Sequence, residues 1–357
     1  MIDLSIDLKL ALGFLSGILV SLIAIPPVVS VSKALKLVAL PNGRTSHDGE
    51  VPALGGIAIF AGVMVGISLF LERNDYQEFR FIILALILVF LVGLMDDIAD
   101  LNWYKKLICE IAVTIIVVIG ADLRIGSFFG FLGIYQLPDW FSIPFTCLFF
   151  VAIINSFNLL DGIDGLASGM GVFISIICGI WLFQLGYYSY TFLAFSLAGA
   201  LISFFGFNVF GKKHKLFMGD SGSLLIGLLV AILTVKVLCC DIPLDNPLNI
   251  DSLPFVLLSI LTIPLMDTCR VFALRIANGK SPFYPDRNHL HHIFLSFGLT
   301  HFQASIIIIG MNALIFVTIY LLRNSNPILV ASILLLLGFL AVYIPDRLRY
   351  RYNKEQA

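Results

Sequence analysis

Long apolar stretches, repeated along almost the whole chain, constrain the fold more than any other feature. A helix that crosses a bilayer needs roughly 20 apolar residues. On that measure the sequence predicts about eleven spans. They are Leu10–Val31, Leu54–Leu71, Phe79–Met95, Leu107–Ala121, Phe141–Asn155, Leu166–Tyr187, Thr191–Phe210, Ser221–Leu238, Leu253–Ala273, Phe302–Leu322 and Pro327–Ile344. Of the 357 residues 59% are hydrophobic and 13% charged, and the mean hydropathy is +0.99, which excludes a soluble domain. The first apolar stretch lacks a basic leader and is long enough to span, so no cleavable signal peptide is expected. There is neither an internal repeat nor a low-complexity linker. The expectation is one integral membrane domain, residues 1–357, built as an all-α polytopic helical bundle.

Lysine and arginine between the spans set the expected orientation. One set of loops carries sixteen: Lys33, Lys36, Arg44, Lys105, Lys106, Lys212, Lys213, Lys215, Arg270, Arg275, Lys280, Arg287, Arg347, Arg349, Arg351 and Lys354. The opposite set carries five, Lys9, Arg73, Arg80, Arg124 and Arg323, while Lys236 falls inside a span. Sixteen against five puts the first set in the cytosol, the N-terminus outside and the C-terminus inside. Every acid-rich or histidine-rich motif then faces the cytosol. The outer loops are short or bland, with a small hairpin expected over Ser127–Gln136. The tyrosine-rich tail Arg347–Tyr352 reads as an interfacial anchor. The six cysteines show no metal-ligand spacing and read as small hydrophobes.

The densest chemistry lies in Asn155-Ser-Phe-Asn158-Leu-Leu-Asp161-Gly-Ile-Asp164-Gly165. Two amides and two carboxylates recur at steps of three, which on a helix keeps neighbouring side chains within reach. Asp96-Asp97 ends the third span, where the helix dipole disfavours acids and calls for a compensating positive charge. Solvated acids offset by Lys105 and Lys106 are the plain alternative, weakened because Asp161 repeats the anomaly. Asp164 and Asp220 each suit an N-cap of the following span. Capping is compatible with a ligand role, since helix N-termini also favour phosphate. Phe217 is either a buried interfacial aromatic or a platform for a flat ring. The glycines of Gly55-Gly56 read as close packing.

The loop Ser281-Pro-Phe-Tyr-Pro-Asp286-Arg287-Asn288-His289-Leu290-His291-His292 is the most polar and aromatic. Its histidines resemble transition-metal ligands in spacing, but no cysteine is near and the carboxylates suit a harder ion. Hydrogen bonding from the histidines and Arg287 to phosphate oxygens is the preferred reading. Converging carboxylates without cysteines suggest Mg²⁺, with Mn²⁺ as second candidate, carrying phosphates. Phosphoryl transfer at a membrane surface fits, with one substrate from the cytosol and one from the bilayer.

At these motifs the sequence resembles the polyprenyl-phosphate N-acetylhexosamine-1-phosphate transferases. Asp-Asp-x-x-Asp from Asp96, Asn-x-x-Asn-x-x-Asp-Gly-x-Asp-Gly-Leu from Asn155, Phe-Met-Gly-Asp from Phe217 and His-x-His-His from His289 follow the family order. The similarity runs from Pro41-Asn-Gly-Arg44 to His292. It implies Mg²⁺-dependent transfer of a sugar 1-phosphate from a UDP-N-acetylhexosamine to undecaprenyl phosphate, releasing UMP. By position, the resemblance gives Asp220 and Asn158 to the metal, and Asp96 with Asp97 to catalysis. It gives Lys106 to the lipid phosphate. Asp161, Asp164, Phe217, Asn208, Arg287, His289, His291 and His292 go to the nucleotide sugar. A covalent route with Asp97 as nucleophile is the rival to direct attack.

Leu290 interrupts the histidine run, which resembles the WecA-like branch and favours UDP-GlcNAc as donor. The implied setting is a bacterial cytoplasmic membrane, with the active site on the cytosolic face and the product starting a cell-envelope glycan such as O-antigen or teichoic acid. Membrane lipids are expected partners, a homodimer is a candidate assembly, and nucleic acid is not expected. A transporter with a cytosolic acidic site is the alternative from another class. It would be expected to place its polar residues near the bilayer midplane on repeat-related broken helices.

Overall fold

The computed structural model describes residues 6–39, 51–240, 242, 246, 249–281 and 288–356. Its helices are α1 (Ile6–Ala34), α2 (Gly55–Phe70), α3 (Tyr76–Ala99), α4 (Trp103–Ile115), α5 (Asp139–Leu160), α6 (Leu166–Gln184), α7 (Tyr188–Phe210), α8 (Gly219–Cys239), α9 (Leu253–Ile260), α10 (Thr262–Ala277), α11 (Leu290–Ser296), α12 (His301–Leu321) and α13 (Pro327–Gln356). A π-helical turn, Ile116–Gly120, prolongs α4. The strands β1 (Val38–Ala39) and β2 (Val51–Pro52) form one antiparallel ladder, with Val38 opposite Pro52. The protein is thus an all-α multi-span membrane protein. Eight described helices are long and apolar enough to cross a membrane, or nine if α9 and α10 make one broken span, and α2 is a shorter apolar helix. All six cysteines are free, as their reading as small hydrophobes requires.

The helices form two compact units, one of Met1–Arg124 with Thr146–Val237, the other of Ile125–Phe145 with Leu238–Ala357. In the first, α8 is the core. Its sequence is apolar on every side, the pattern of a helix with no solvent face. Of its most apolar window, 89% is buried. Small residues let neighbouring backbones approach it. Gly227 lies against Ile154 of α5, Gly93 of α3 lies against Ser221, and Gly56 of α2 lies against Ser221 and Gly222. The expected close packing of Gly55-Gly56 is therefore present, and it falls on the first turn of α8. Backbone bonds fix that contact, with Gly55 N–H donating to Phe217 O (2.9 Å) and Gly56 N–H to Met218 O (3.0 Å).

In the second unit the span expected over Leu253–Ala273 is broken, and α9 and α10 meet at a bend of 73°. Pro264 has no N–H for the carbonyl of Ile260, and Leu261 leaves helical geometry. Buried Asn312 of α12 fills the gap, accepting from Ile263 N–H (3.0 Å) and donating to Ile260 O (2.8 Å). The loop expected to be a hairpin contains no strand. Residues 126–137 close on one bond, Leu137 N–H to Gly126 O (2.9 Å), around a 3₁₀ turn at Phe131–Gly133. Its aromatics pack instead of pairing as strands: Phe128 meets Phe145, and Phe131 meets Phe255.

Replacing Gly56 by leucine drives a branched side chain into the α8 backbone, which cannot give way. An overpacked contact costs about 1–3 kcal/mol. The thermal midpoint of Gly56→Leu in detergent is expected to fall accordingly, and an unchanged midpoint would show that the helices do not approach so closely.

Candidate active site

Four segments of the first unit converge on the N-terminal turn of α8: the end of α3, the start of α4, the end of α5 with the turn after it, and the loop before α8. Asp97 anchors them. Its Oδ1 accepts from Asp220 N–H (2.6 Å) and its Oδ2 from Ser221 N–H (3.0 Å). Two amides that a helix start leaves without partners are thus satisfied from α3. Asp220 itself lies inside α8 and is not its cap, contrary to the simplest reading of the sequence. Its carboxylate is released to face sideways.

There it meets Lys106. The Lys106 ammonium is bonded to Asp220 Oδ2 and, at 3.1 Å, to Asp96 Oδ2. Asp96 Oδ1 accepts from Leu101 N–H (2.7 Å), so both of its oxygens are engaged. Two carboxylates thus compensate the one ammonium. Asn158 Nδ2 donates to Asp220 Oδ1 and to Ser223 Oγ, both at 3.0 Å. Sequence analysis placed Asp96, Lys106, Asn158 and Asp220 in one site, and they form one chain of contacts.

The row of polar residues at steps of three is only half helical. α5 ends at Leu160, so Asn155 and Asn158 share the helix while Asp161 and Asp164 lie in the turn beyond it. Asn155 bonds Glu110 of α4, a buried acid that sequence analysis passed over. Its signal was an acid inside an apolar run, four residues after Lys106. The Asp161 side chain makes no hydrogen bond among the described residues, while its N–H donates to Phe157 O (3.2 Å). Burial first, then the charges of Asp220, Asp97 and Asp164, push its carboxyl well above the usual carboxylate range.

Asp164 does not cap α6 either. Gly165 holds that position at φ 83°, in the left-handed region, without a side-chain bond. Asp164 instead pairs with Lys215 (2.7 Å), whose ammonium lies 5.8 Å from the centre of the half-buried Phe217 ring. Asn208 is buried and bonds backbone at both ends of its amide, accepting from Gly165 N–H (2.7 Å) and donating to Leu216 O (3.0 Å). It therefore ties the Asp164 turn to the Phe217 loop.

The histidines belong to the second unit. Arg287 lies outside the described residues, as do Arg44 and the rest of the Pro41–His47 segment. His289 precedes α11, and His291 and His292 stand in its first turn. His291 is buried, and burial followed by its histidine neighbours lowers its pKa to about 3, so it is a neutral ring at any working pH. His289 is buried too, and both of its ring nitrogens face protein groups: Nδ1 faces Asp267 Oδ2 at 2.9 Å and Nε2 faces Arg275 at 3.3 Å.

Mg²⁺ can be tested against this donor set. Among the described residues no three acids, histidines or cysteines cluster as a ready-made metal cage. Mg²⁺ does not need one, because it keeps several waters and binds through one or two carboxylates plus substrate phosphates. A carboxylate held beside an amide oxygen donor, and a second carboxyl burdened by its neighbours' charge, fit that habit.

Residues 79–238 match the family described as glycosyl transferase family 4. The chain is 32% identical over 283 residues to the undecaprenyl-phosphate α-N-acetylglucosaminyl 1-phosphate transferase of Yersinia pestis, covering 78% of this chain and 74% of that one. It is 31% identical to the protein of that name from Escherichia coli K12, covering 88% and 84%. It is 30% identical to a probable undecaprenyl-phosphate N-acetylglucosaminyl 1-phosphate transferase of Bacillus subtilis, covering 87% and 83%.

Asp97→Asn places an NH₂ group against an N–H donor. The buried mismatch is expected to cost about 1–3 kcal/mol and to lower the thermal midpoint together with activity. Lost activity at an unchanged midpoint would instead favour Asp97 as a nucleophile.

Proposed function

The chain belongs to glycosyl transferase family 4, and from that premise we propose that it transfers N-acetylglucosamine 1-phosphate from UDP-GlcNAc to undecaprenyl phosphate. The relatives' names support this donor and acceptor. They give no support to a transporter, and the acids lie at helix ends where a phosphorylated lipid headgroup would sit. We read α2 and the α4–π segment as spans as well. The bundle then has eleven, with the N-terminus outside and the C-terminus and the acidic turn on the cytosolic face of a bacterial inner membrane.

The observation that carries the mechanism is Lys106, held between Asp96 and Asp220 beside Asn158. A phosphomonoester has its second pKa near 6, so undecaprenyl phosphate is already a dianionic nucleophile at neutral pH. It needs a positioned cation more than a base. Lys106 supplies that cation, and Asp96 orients Lys106. The lipid phosphate oxygen attacks the β-phosphorus; the new P–O bond forms as the bond to the α-phosphate oxygen breaks, and UMP leaves. Asp220 and the Asn158 carboxamide would hold Mg²⁺, which when bound neutralises the diphosphate and stabilises the departing phosphate. Asp97 keeps Asp220 aimed at that position. Both Asp97 oxygens are occupied by amides, which favours direct attack over an aspartyl intermediate. The family resemblance assigns uracil to Phe217, which has Lys215 beside it and Asp164 paired to that lysine, and assigns the diphosphate and sugar to His291, His292 and Arg287.

Purified protein with Mg²⁺, UDP-GlcNAc and undecaprenyl phosphate is expected to release UMP only when the lipid is present. Asp220→Asn is expected to lower kcat by about 100-fold or more, the scale for losing one electrostatic group at a transferring centre. Release without lipid, or full activity of Asp220→Asn at low Mg²⁺, would refute the assignment.

A further inference from the structure

The second unit contains a buried charge cluster that the reaction does not use directly. At its centre is Asp267 of α10, which is 4% exposed. Its Oδ1 accepts from Arg270 Nη2 (2.8 Å) and from Leu290 N–H, the first amide of α11 (3.0 Å). Its Oδ2 faces His289 Nδ1 at 2.9 Å. Arg270 Nη2 also donates to Asn288 O. Asp346 of α13 stands beside Arg270 (3.6 Å) and pairs with Arg349 (2.9 Å). Three successive residues, Asn288, His289 and Leu290, are therefore tied to α10 through one carboxylate and its arginine.

The proton positions on His289 follow from its neighbours. Arginine donates and never accepts. The 3.3 Å contact with Arg275 therefore makes Nε2 an acceptor. The ring proton must be on Nδ1, donated to Asp267. With both nitrogens committed and only 4% of the residue exposed, His289 has nothing left to offer a ligand. The next ring, His291, lies parallel to it at 5.8 Å, and His292 is 4.3 Å from His291.

We propose that Asp267 and His289 form a carboxylate–imidazole clamp that sets the place of His291 and His292. His289 is then a positioning residue that does not touch the nucleotide sugar. This departs from the reading of His289 as a direct contact, and it rests on the proposal that the following histidines serve the donor diphosphate. A neutral imidazole is suited to the task. It is rigid, and it bridges a buried acid and a buried arginine without adding a charge of its own. A carboxylate partner fixes its tautomer and ring orientation, as in the outer sphere of metal-bound histidines.

Two near-isosteres separate clamp from contact. Asparagine places an N–H where Nδ1 is, and glutamine places one where Nε2 is. The experiment is steady-state kinetics on full-length protein in detergent, varying UDP-GlcNAc at fixed lipid and then lipid at fixed UDP-GlcNAc. His289→Asn is expected to keep kcat/KM within about fivefold of wild type, while His289→Gln and Asp267→Asn lose about 10–100-fold, the range for removing an orienting partner. The loss should appear in the KM for UDP-GlcNAc and not in that for the lipid. The double variant Asp267→Asn/His289→Gln should be no worse than either single one, because one unit has been broken. The opposite order, with glutamine active and asparagine inactive, overturns the clamp. Histidine-selective ¹⁵N spectra test it apart from turnover. The His289 ring should show a protonated Nδ1 in wild type that disappears in Asp267→Asn, and an Nε2–H form in wild type refutes the proposal. A wild-type protein that releases no UMP while showing the Nδ1–H signal would sink the transferase reading and leave the clamp standing.

Discussion

The bonds from Asp97 to the Asp220 and Ser221 amides in the first turn of α8 are the constraint on which the candidate site depends. α8 is buried over most of its length, and a helix start leaves its first amides without partners inside the helix. A side chain must satisfy them, and the natural one is the first acid of the helix itself or its cap. Here the cap comes from α3 instead. The consequence is chemical. Asp220, freed from its own backbone, turns its carboxylate toward Lys106 and Asn158. Gly93 and Gly56 complete the arrangement, because the bond can form only if α3 and α2 approach the α8 backbone closely.

Charge inside this bundle is accompanied almost everywhere. Lys106 has two carboxylates, Asp164 has Lys215, and at the opposite end of α8 Lys236 has Glu78 (2.9 Å) with the rings of Tyr187 and Tyr190 around it. Buried ions persist only when so paired and hydrogen-bonded. The Lys236 group uses every contact within the protein, with Tyr190 also donating to Glu78 (2.6 Å), and reads as a structural brace. The acidic turn differs. The Asp161 carboxyl is surrounded by like charges and has no hydrogen bond among the described residues. That imbalance sets the acidic turn apart from the Lys236 brace.

Much of this was legible in the sequence, and the exceptions share a cause. Apolar runs gave the helical class and the positions of the long helices. Acids at the C-terminal end of a span marked Asp96 and Asp97, because the helix dipole makes such placements costly, and the acid opening the next apolar run marked Asp220 as a helix start. What the pattern of residues does not carry is which element a polar group reaches. Asp220 and Asp164 looked like caps because caps are judged along the chain, whereas the partners are 123 residues away for the Asp220 amide and 51 for the Asp164 carboxylate. Nor does the pattern carry the bonds that Asn208 makes to Gly165 and Leu216, or those that His289 makes to Asp267 and Arg275. The break in the ninth span was marked by Pro264, but its repair by Asn312 was not, since that requires α12 to lie alongside.

Asp97 and Asp267 show one device used twice. In each case an acid on one helix accepts first-turn amides of another, and that turn carries candidate site residues: Asp97 takes the amides of Asp220 and Ser221 in α8, and Asp267 takes the amide of Leu290, just ahead of His291 and His292, in α11. A cap drawn from the helix's own sequence would fix the backbone but leave its direction to loop geometry. A cap drawn from a neighbouring helix fixes the backbone against a rigid body. Loops are poor platforms for groups that must sit within a fraction of an ångström of a reacting phosphate, and helix-mounted groups held by buried bonds are better ones. Remote capping therefore turns the weakest part of a helix, its first turn, into the part whose position is best determined.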